Sequence, residues 1–197
     1  GMTIQRASYA ALQGGFTLPW LLEEVEKMQP RPRAPLLLMS YLNPLLAHGY
    51  ARLAADAVAS GVSGFIVPDL PLEECAEVRQ ALVTHGLHLI QMVTPNLDDA
   101  RIAAIARAAA GFIYVVSVMG VTGARAETPD IAALAARVRR HTALPLALGF
   151  GISTPEQARQ ASQHVDGVIV GSALIRSLNH ADTAAVDAHR FLKAFSQ

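Results

Sequence analysis

Three glycine-bearing stretches carry the first chemical signal in this sequence: the Gly120–Gly123 loop, Gly149-Phe150-Gly151, and Gly171-Ser172. Each follows a short apolar run and precedes a segment with helical spacing. A strand that runs into glycine at the start of a helix lays backbone N–H groups bare. Aligned N–H groups and the helix dipole can then hold a phosphate dianion without a lysine. Glycine at an ordinary strand-to-helix turn only supplies an unusual backbone conformation, so a single such end decides nothing. Two of them on consecutive final strands, with Gly123 in addition, favour phosphate.

Other candidates cluster at the same kind of place. Asp69 sits in VPDLP at a strand end, where a carboxylate can orient a loop, hold a substrate group, act as an acid–base, or cap a helix ahead of Pro71. Tyr41 and Tyr114 lie near strand ends, and core packing with a polar tip is the favoured reading for both. Thr122 can meet Asp69 across a shared mouth or make a local turn. Cys75 reads as a small packed residue on a helix. The seven histidines are scattered, without metal-ligand spacing, and a surface role is expected for each. The two lysines, Lys27 and Lys193, lie on no expected strand, which argues against Schiff-base chemistry.

The elements that must position these residues alternate. Apolar runs of strand length occur at Pro35–Tyr41, Ser63–Val67, Leu87–Val93, Phe112–Ser117, Leu144–Leu148 and Asp166–Val170. Helical patterns precede them (Ile4–Gly14, Leu18–Met28) and follow each (His48–Ser60, Glu73–Thr84, Asp98–Ala110, one opened by Thr128-Pro129-Asp130 and running to about Arg140, one started by Thr154-Pro155-Glu156 and running to about Ser162, Ser172–Leu178), with a last one at Thr183–Phe195. Near-continuous apolar strands mark a parallel sheet buried on both faces. Six βα units fit a doubly wound sheet or part of a (β/α)₈ barrel. Loop chemistry at every strand end favours the barrel, because a doubly wound sheet concentrates its site at one switch point.

Bulk composition narrows the function classes. The 197 residues suit one domain, 52% are hydrophobic and 16% charged, and the formal net charge is zero. A large buried share is required and disorder is excluded. No basic run exceeds Arg139-Arg140, so nucleic acid is not expected as a partner. No apolar run approaches the roughly 20 residues of a membrane span, so no membrane association is expected. One cysteine allows no internal disulfide and fits a reduced, cytoplasmic setting. Gly1 ahead of Met2 reads equally as a cloning scar or as native.

The strings TIQRASYAAL, LLLMSYLNPLLAHGY, GFIVPDLPLEE, GFIYVVSVMGVTGAR, LGFGIS and DGVIVGSALI, in this order and spacing, resemble the tryptophan synthase alpha chain family over nearly the whole sequence. The resemblance implies a (β/α)₈ barrel lyase. It would cleave indole-3-glycerol phosphate to indole and glyceraldehyde 3-phosphate, use no cofactor of its own, and pass indole to a pyridoxal-phosphate beta chain. It implies that Gly123, Gly149, Phe150, Gly151, Gly171 and Ser172 hold the substrate phosphate. Met39, Ile66 and Tyr114 would line the indole pocket with Tyr41 nearby, and Asp69 and Thr122 would couple two loops. Asn43-Pro44 and Pro71 would lie toward the beta chain. Val118 stands where many members carry arginine.

The family stretch that bears the acid–base glutamate and the indole-binding aspartate precedes the segment matching Thr3-Ile4-Gln5, and only Gly1 can correspond to its end. The expectation is therefore an incomplete barrel of about six βα units spanning 1–197 as one domain, without its first two strands and without a catalytic carboxylate. Such a chain would bind glycerol phosphate or inorganic phosphate but be inactive alone. It would expose strand edges near Leu37 and Ile169, inviting self-association, element swapping or closure of the gap by the N-terminal helix. The alternative is a non-catalytic remnant that binds phosphate or another subunit.

Overall fold

The computed structural model describes residues 2–116, 130–149, 151–178 and 181–195. Two helices, α1 (Met2–Gln13) and α2 (Leu18–Lys27), precede six strands: β1 (Leu36–Met39), β2 (Val62–Ile66), β3 (His88–Val93), β4 (Ile113–Val116), β5 (Leu146–Gly149) and β6 (Gly167–Val168). The strands lie in one sheet in sequence order, and every neighbouring pair is parallel. Helices α3 (Leu42–His48) and α4 (Tyr50–Ser60), α5 (Ala76–Thr84), α6 (Asp99–Ala108), α7 (Ile131–Arg139), α8 (Pro155–Ala161) and α9 (Ser172–Ser177) follow the successive strands, and α10 (Ala184–Phe195) closes the chain. Sequential parallel order with a helix after each strand is the barrel arrangement expected from the strand-end chemistry. A doubly wound sheet would reverse its strand order at a switch point.

Each strand divides its residues between two layers, because successive side chains point to opposite faces. Phe65, Leu89, Ile113, Val115, Leu146 and Leu148 meet the helices in two outer clusters. Ile66, Ile90, Tyr114 and Val116 form a separate inner cluster with Leu37, Met92, Phe112 and Ile169 packed against it. Leu53, Ala54 and Ala57 face inward from α4, and Cys75 is buried just ahead of α5. Thr17 caps α2 with Pro19 in its first turn, and Thr154 closes a capping box with Gln157 at α8, both from local sequence signals.

Several boundaries differ from expectation for identifiable reasons. The segment 42–60 holds two helices, not one beginning at His48, because Gly49 adopts φ +83° and breaks the run. Leu72–Glu74 form a 3₁₀ turn before α5 begins. β5 starts at Leu146, just past Pro145. β6 is short, yet its ladder continues through Asp166 N donating to Leu146 O at 2.9 Å and Ile169 N donating to Leu148 O at 2.7 Å. His48 is not a surface residue: its side chain is buried and its Nε2 lies 2.7 Å from Asp56 Oδ2.

Ion pairs bind the outer layer together. Asp99 at the start of α6 meets Arg137 Nε at 3.1 Å and Arg140 Nη2 at 2.7 Å. Asp166 accepts from Leu146 N at 2.8 Å and Arg139 Nη2 at 2.9 Å. Arg101 on α6 grips both carboxylate oxygens of Glu73, tying the loop after β2 to the helix after β3. The Arg101 hydrogen bond holds the Glu73 carboxyl down at about 2. A depressed acid contributes stability above its unfolded value of about 4.3 and loses it as pH falls toward the folded one. Glu73→Gln is therefore expected to flatten the fall of unfolding midpoint between pH 4.3 and 2, read by urea titration at several pH values. Asp99, held low by the Arg137 hydrogen bond, and Glu156 and Asp166, held low first by backbone N–H groups, retain the remaining acid limb. An identical pH profile for parent and variant would show that the pair contributes nothing.

Candidate functional site

The strands deliver their inner-face residues to one side of the sheet, and register decides which of them meet. Met39 pairs with Ile66, Ile66 with Ile90, Met92 with Tyr114, and Val116 with Gly149. Three expected pocket residues, Met39, Ile66 and Tyr114, therefore share the inner face toward the C-terminal strand ends. Ile66 and Tyr114 are buried, whereas Met39 on the edge strand is 53% exposed. Tyr41 departs from the expected core packing. It is 66% exposed, because it lies beyond β1 as the residue preceding α3, where no strand holds it inward.

Tyr114 is 4% exposed, and burial pushes its hydroxyl up to about 12, so the phenol stays neutral across the physiological range. Its ring runs over Gly149 on the neighbouring strand. A β-carbon placed on Gly149 would collide with the Tyr114 hydroxyl oxygen and two of its ring carbons. Gly149 thus serves a close approach as well as a strand end, a role that the glycine pattern alone did not distinguish.

The second half of the glycine pattern lies one strand over. Gly151 has φ +87°, in the region that favours glycine. Gly171 precedes α9 with no side chain capping it, and Ile175 N donates to its carbonyl at 3.1 Å. A β-carbon at Gly171 would meet only Ile4 Cδ1 of α1, at 3.9 Å. Helix α1 packs against α9, so the N-terminal helix lies beside this strand end. β5 and β6 are paired at Leu148 and Val168, which brings the ends carrying Gly149, Gly151, Gly171 and Ser172 side by side. Gly123, Thr122 and Phe150 lie outside the described residues.

Asp69 has a partner that the local motif did not point to. Its Oδ1 accepts from Leu42 N at 2.9 Å, across 27 residues of sequence. Leu42 opens α3, so the carboxylate after β2 caps the helix that follows β1. Ser40 N donates to Ile66 O at 3.1 Å beside it. Two adjacent strand-end loops are thereby fixed to each other. The signal in the sequence is an aspartate at a strand end, but its partner is set by parallel pairing and not by proximity along the chain.

With this geometry in view, the sequence matches the family model for the tryptophan synthase alpha chain over residues 1–197. It is 50% identical over 177 residues to the tryptophan synthase alpha chain of Geobacter sp. (strain M21), covering 89% of this chain and 66% of that one. It is 44% identical over 198 residues to that of Nitratidesulfovibrio vulgaris (strain DP4), covering 100% of this chain and 76% of that one. Thus the chain spans about two thirds of the length of the Geobacter relative. Among solved structures, a chain from the tryptophan synthase a2b2 complex of Pyrococcus furiosus superposes with a TM-score of 0.87 at 32% identity, over 100% of this chain and 80% of that one. The alpha chain from Legionella pneumophila gives 0.86 at 34%, over 99% and 74%.

The Tyr114–Gly149 contact makes a sharp prediction. Gly149→Ala forces the phenol aside in a packed inner face and is expected to cost about 1–3 kcal/mol. Shortening the partner in Gly149→Ala/Tyr114→Leu should recover part of that loss. Urea unfolding of the two variants and of Tyr114→Leu forms a double-mutant cycle. An unchanged midpoint for Gly149→Ala, or strict additivity in the cycle, would mean that this contact does not constrain the position.

Proposed function

The chain belongs to the tryptophan synthase alpha chain family, a family of lyases of tryptophan biosynthesis, and we propose that it supplies the phosphate-holding and indole-facing part of the site that cleaves indole-3-glycerol phosphate to indole and glyceraldehyde 3-phosphate. The observation that carries this reading is the inner-face register. Met39, Ile66 and Tyr114 stand on the same face as Gly149, next to the adjacent strand end that carries Gly171 and Ser172. An apolar floor beside a glycine-rich, amide-bearing rim matches a substrate with a flat aromatic end and a dianionic end.

In this reading the amides around Gly149, Phe150, Gly151, Gly171, Ser172 and Gly123 hold the phosphate. Met39, Ile66 and Tyr114 flank the indole ring, with Tyr41 near the rim. Asp69 orders the loop over β1 and couples to Thr122. Retro-aldol cleavage takes a proton from a hydroxyl of the glycerol phosphate chain and returns one to the indole ring as the carbon–carbon bond breaks. None of the residues assigned in this reading supplies the glutamate and aspartate for that work. General acid–base assistance contributes about 10²–10⁴ in rate, so the 197-residue polypeptide alone should bind phosphate and turn over near background.

The partner supported by the a2b2 relative is a beta chain, meeting the loops that carry Asn43-Pro44 and Pro71 and receiving the indole. A cytoplasmic setting goes with that pathway, and no helix among the described residues is long and apolar enough to cross a membrane. The second reading, a phosphate-binding or subunit-interaction protein without catalysis, draws on the same rim.

Titration with glycerol phosphate, followed by calorimetry, should give saturable binding that Gly171→Asp abolishes by adding a carboxylate where the dianion sits. Indole release, read by absorbance or fluorescence, should stay at background for the chain alone. Absence of phosphate binding would overturn the site, and measurable indole release would overturn the inactivity. Among the described residues β1 and β6 each have a strand neighbour on one side only. Such edges pair readily with another copy, so light scattering coupled to size-exclusion chromatography should give a mass above one copy that rises with concentration. A constant monomer mass would rule out self-association.

A further inference from the structure

Strand β3 changes partners halfway along. Its residues His88–Ile90 pair with β2, whereas Gln91–Val93 pair with β4, and the ladder to β2 ends at Ile66↔Ile90. Beyond that point Val67 and Pro68 turn away, and the two strands open into a wedge. A cavity of about 220 Å³ fills the wedge, between the loop after β2 and the N-terminal part of α6. It lies on the helix side of the sheet, since Leu89 and Val93, on the same face of β3 as Gln91, belong to the outer clusters. Ile90 and Met92 of the inner face also border it at the opening between the strands, but none of Met39, Ile66, Tyr114, Gly149, Gly171 and Ser172 lines it, which distinguishes it from the phosphate and indole site proposed above.

Two features define what it can hold. The walls are mostly apolar, with Leu72, Leu97 and Ile105 among them. Gln91 also lines the cavity. It is 8% exposed, and its side-chain amide makes no hydrogen bond within the described residues. Its amide is not sealed off, since the fully buried side-chain polar atom without a partner among the described residues is His141 Nε2, and the open side of Gln91 is the cavity. The charged side chain on the wall, Arg101, is already held by both oxygens of Glu73, which leaves no spare charge to pair with an ionised ligand. The volume lies below the roughly 300–1,000 Å³ of drug-sized sites.

We propose that this wedge is a binding site for a small, neutral ring compound carrying one hydrogen-bonding N–H or carbonyl group, which pairs with the Gln91 amide while Leu72, Leu97 and Ile105 enclose the ring. The inference stands on the β2–β3 opening and on Gln91. It does not depend on the phosphate site.

The test uses the full 197-residue chain, labelled with nitrogen-15, and indole as the probe. Because indole can also enter the inner face, the signal followed is the Gln91 side-chain NH₂, assigned from its disappearance in Gln91→Leu. The expected result is a saturable shift of that resonance. Indole binding at the wedge, followed by the backbone amides of Thr94 and Leu97, should weaken roughly fivefold in Gln91→Leu, the value of one hydrogen bond. Ile105→Trp, which fills the cavity, should abolish the shift, and a native-like spectrum of each variant checks its fold. Inorganic phosphate, the probe of the other site, should leave Gln91 unmoved, so failure at one site is distinguishable from failure at the other. A Gln91 resonance indifferent to millimolar indole, or equal affinity in Gln91→Leu, would overturn the proposal and leave the cavity to water.

Discussion

The parallel ladder is the constraint on which the rest depends. A strand with parallel neighbours on either side has no solvent face, so every second residue must suit the helices and every other one the interior. In β4 this gives Ile113 and Val115 to the outer cluster and Tyr114 and Val116 to the inner one. A slip of one residue would exchange the two sets. It would carry Tyr114 out among the helices and bring β-branched residues onto the face that the glycines border. The proposed site and the core are thus written in the same strand at alternate positions, and neither can be shifted without the other.

That coupling explains two residues whose roles are not local. Gly149 lacks a side chain because the phenol of Tyr114, from the preceding strand, occupies the space. Asp69 caps α3 because parallel pairing sets the end of β2 beside the end of β1. Both contacts cross between neighbouring strands at the C-terminal ends, where the loops have no ladder of their own to hold them. Pinning loop to loop at these ends keeps an irregular rim in a fixed relation to the ordered sheet below it.

The alternation of strands and helices was legible because its signals are local: apolar runs for the strands, Thr17-Leu18-Pro19 and Thr154-Pro155-Glu156 for helix starts, and glycines for stops. The inner-face placement of Met39, Ile66 and Tyr114 came with the family resemblance, and period-two counting agrees with it. The expected helix at His48–Ser60 follows alanine-rich spacing through Gly49, whereas φ +83° there separates α3, which ends at His48, from α4. An aromatic near a strand end such as Tyr41 reads as core, although its position past the last ladder residue of β1 leaves it in solvent. His48 reads as a surface residue in sequence, because its partner, Asp56, becomes a neighbour only when two helices fold back on each other. The Asp69–Leu42 cap and the opening between β2 and β3 depend on register, which a single sequence does not specify residue by residue.

The distribution of charge adds a last constraint on how an anion can be held. Among the described residues the arginines with carboxylate partners sit on helices or at their ends: Arg52 with Asp56, Arg101 with Glu73, Arg137 and Arg140 with Asp99, Arg139 with Asp166, Arg159 with Glu156, and Arg190 with Asp187. The C-terminal strand ends at 39–42, 67–70, 93–96 and 168–172 contain neither lysine nor arginine. At those strand ends an anion would draw on backbone N–H groups and helix termini, whose fields fall off within about a turn, while the sequence after β4 carries Arg125 two residues past Gly123. A point charge tolerates a displaced ligand, but a set of amides does not. In the proposed site such binding would depend on geometry, with the Tyr114 contact fixing the approach to Gly149 where a point charge would need no such alignment.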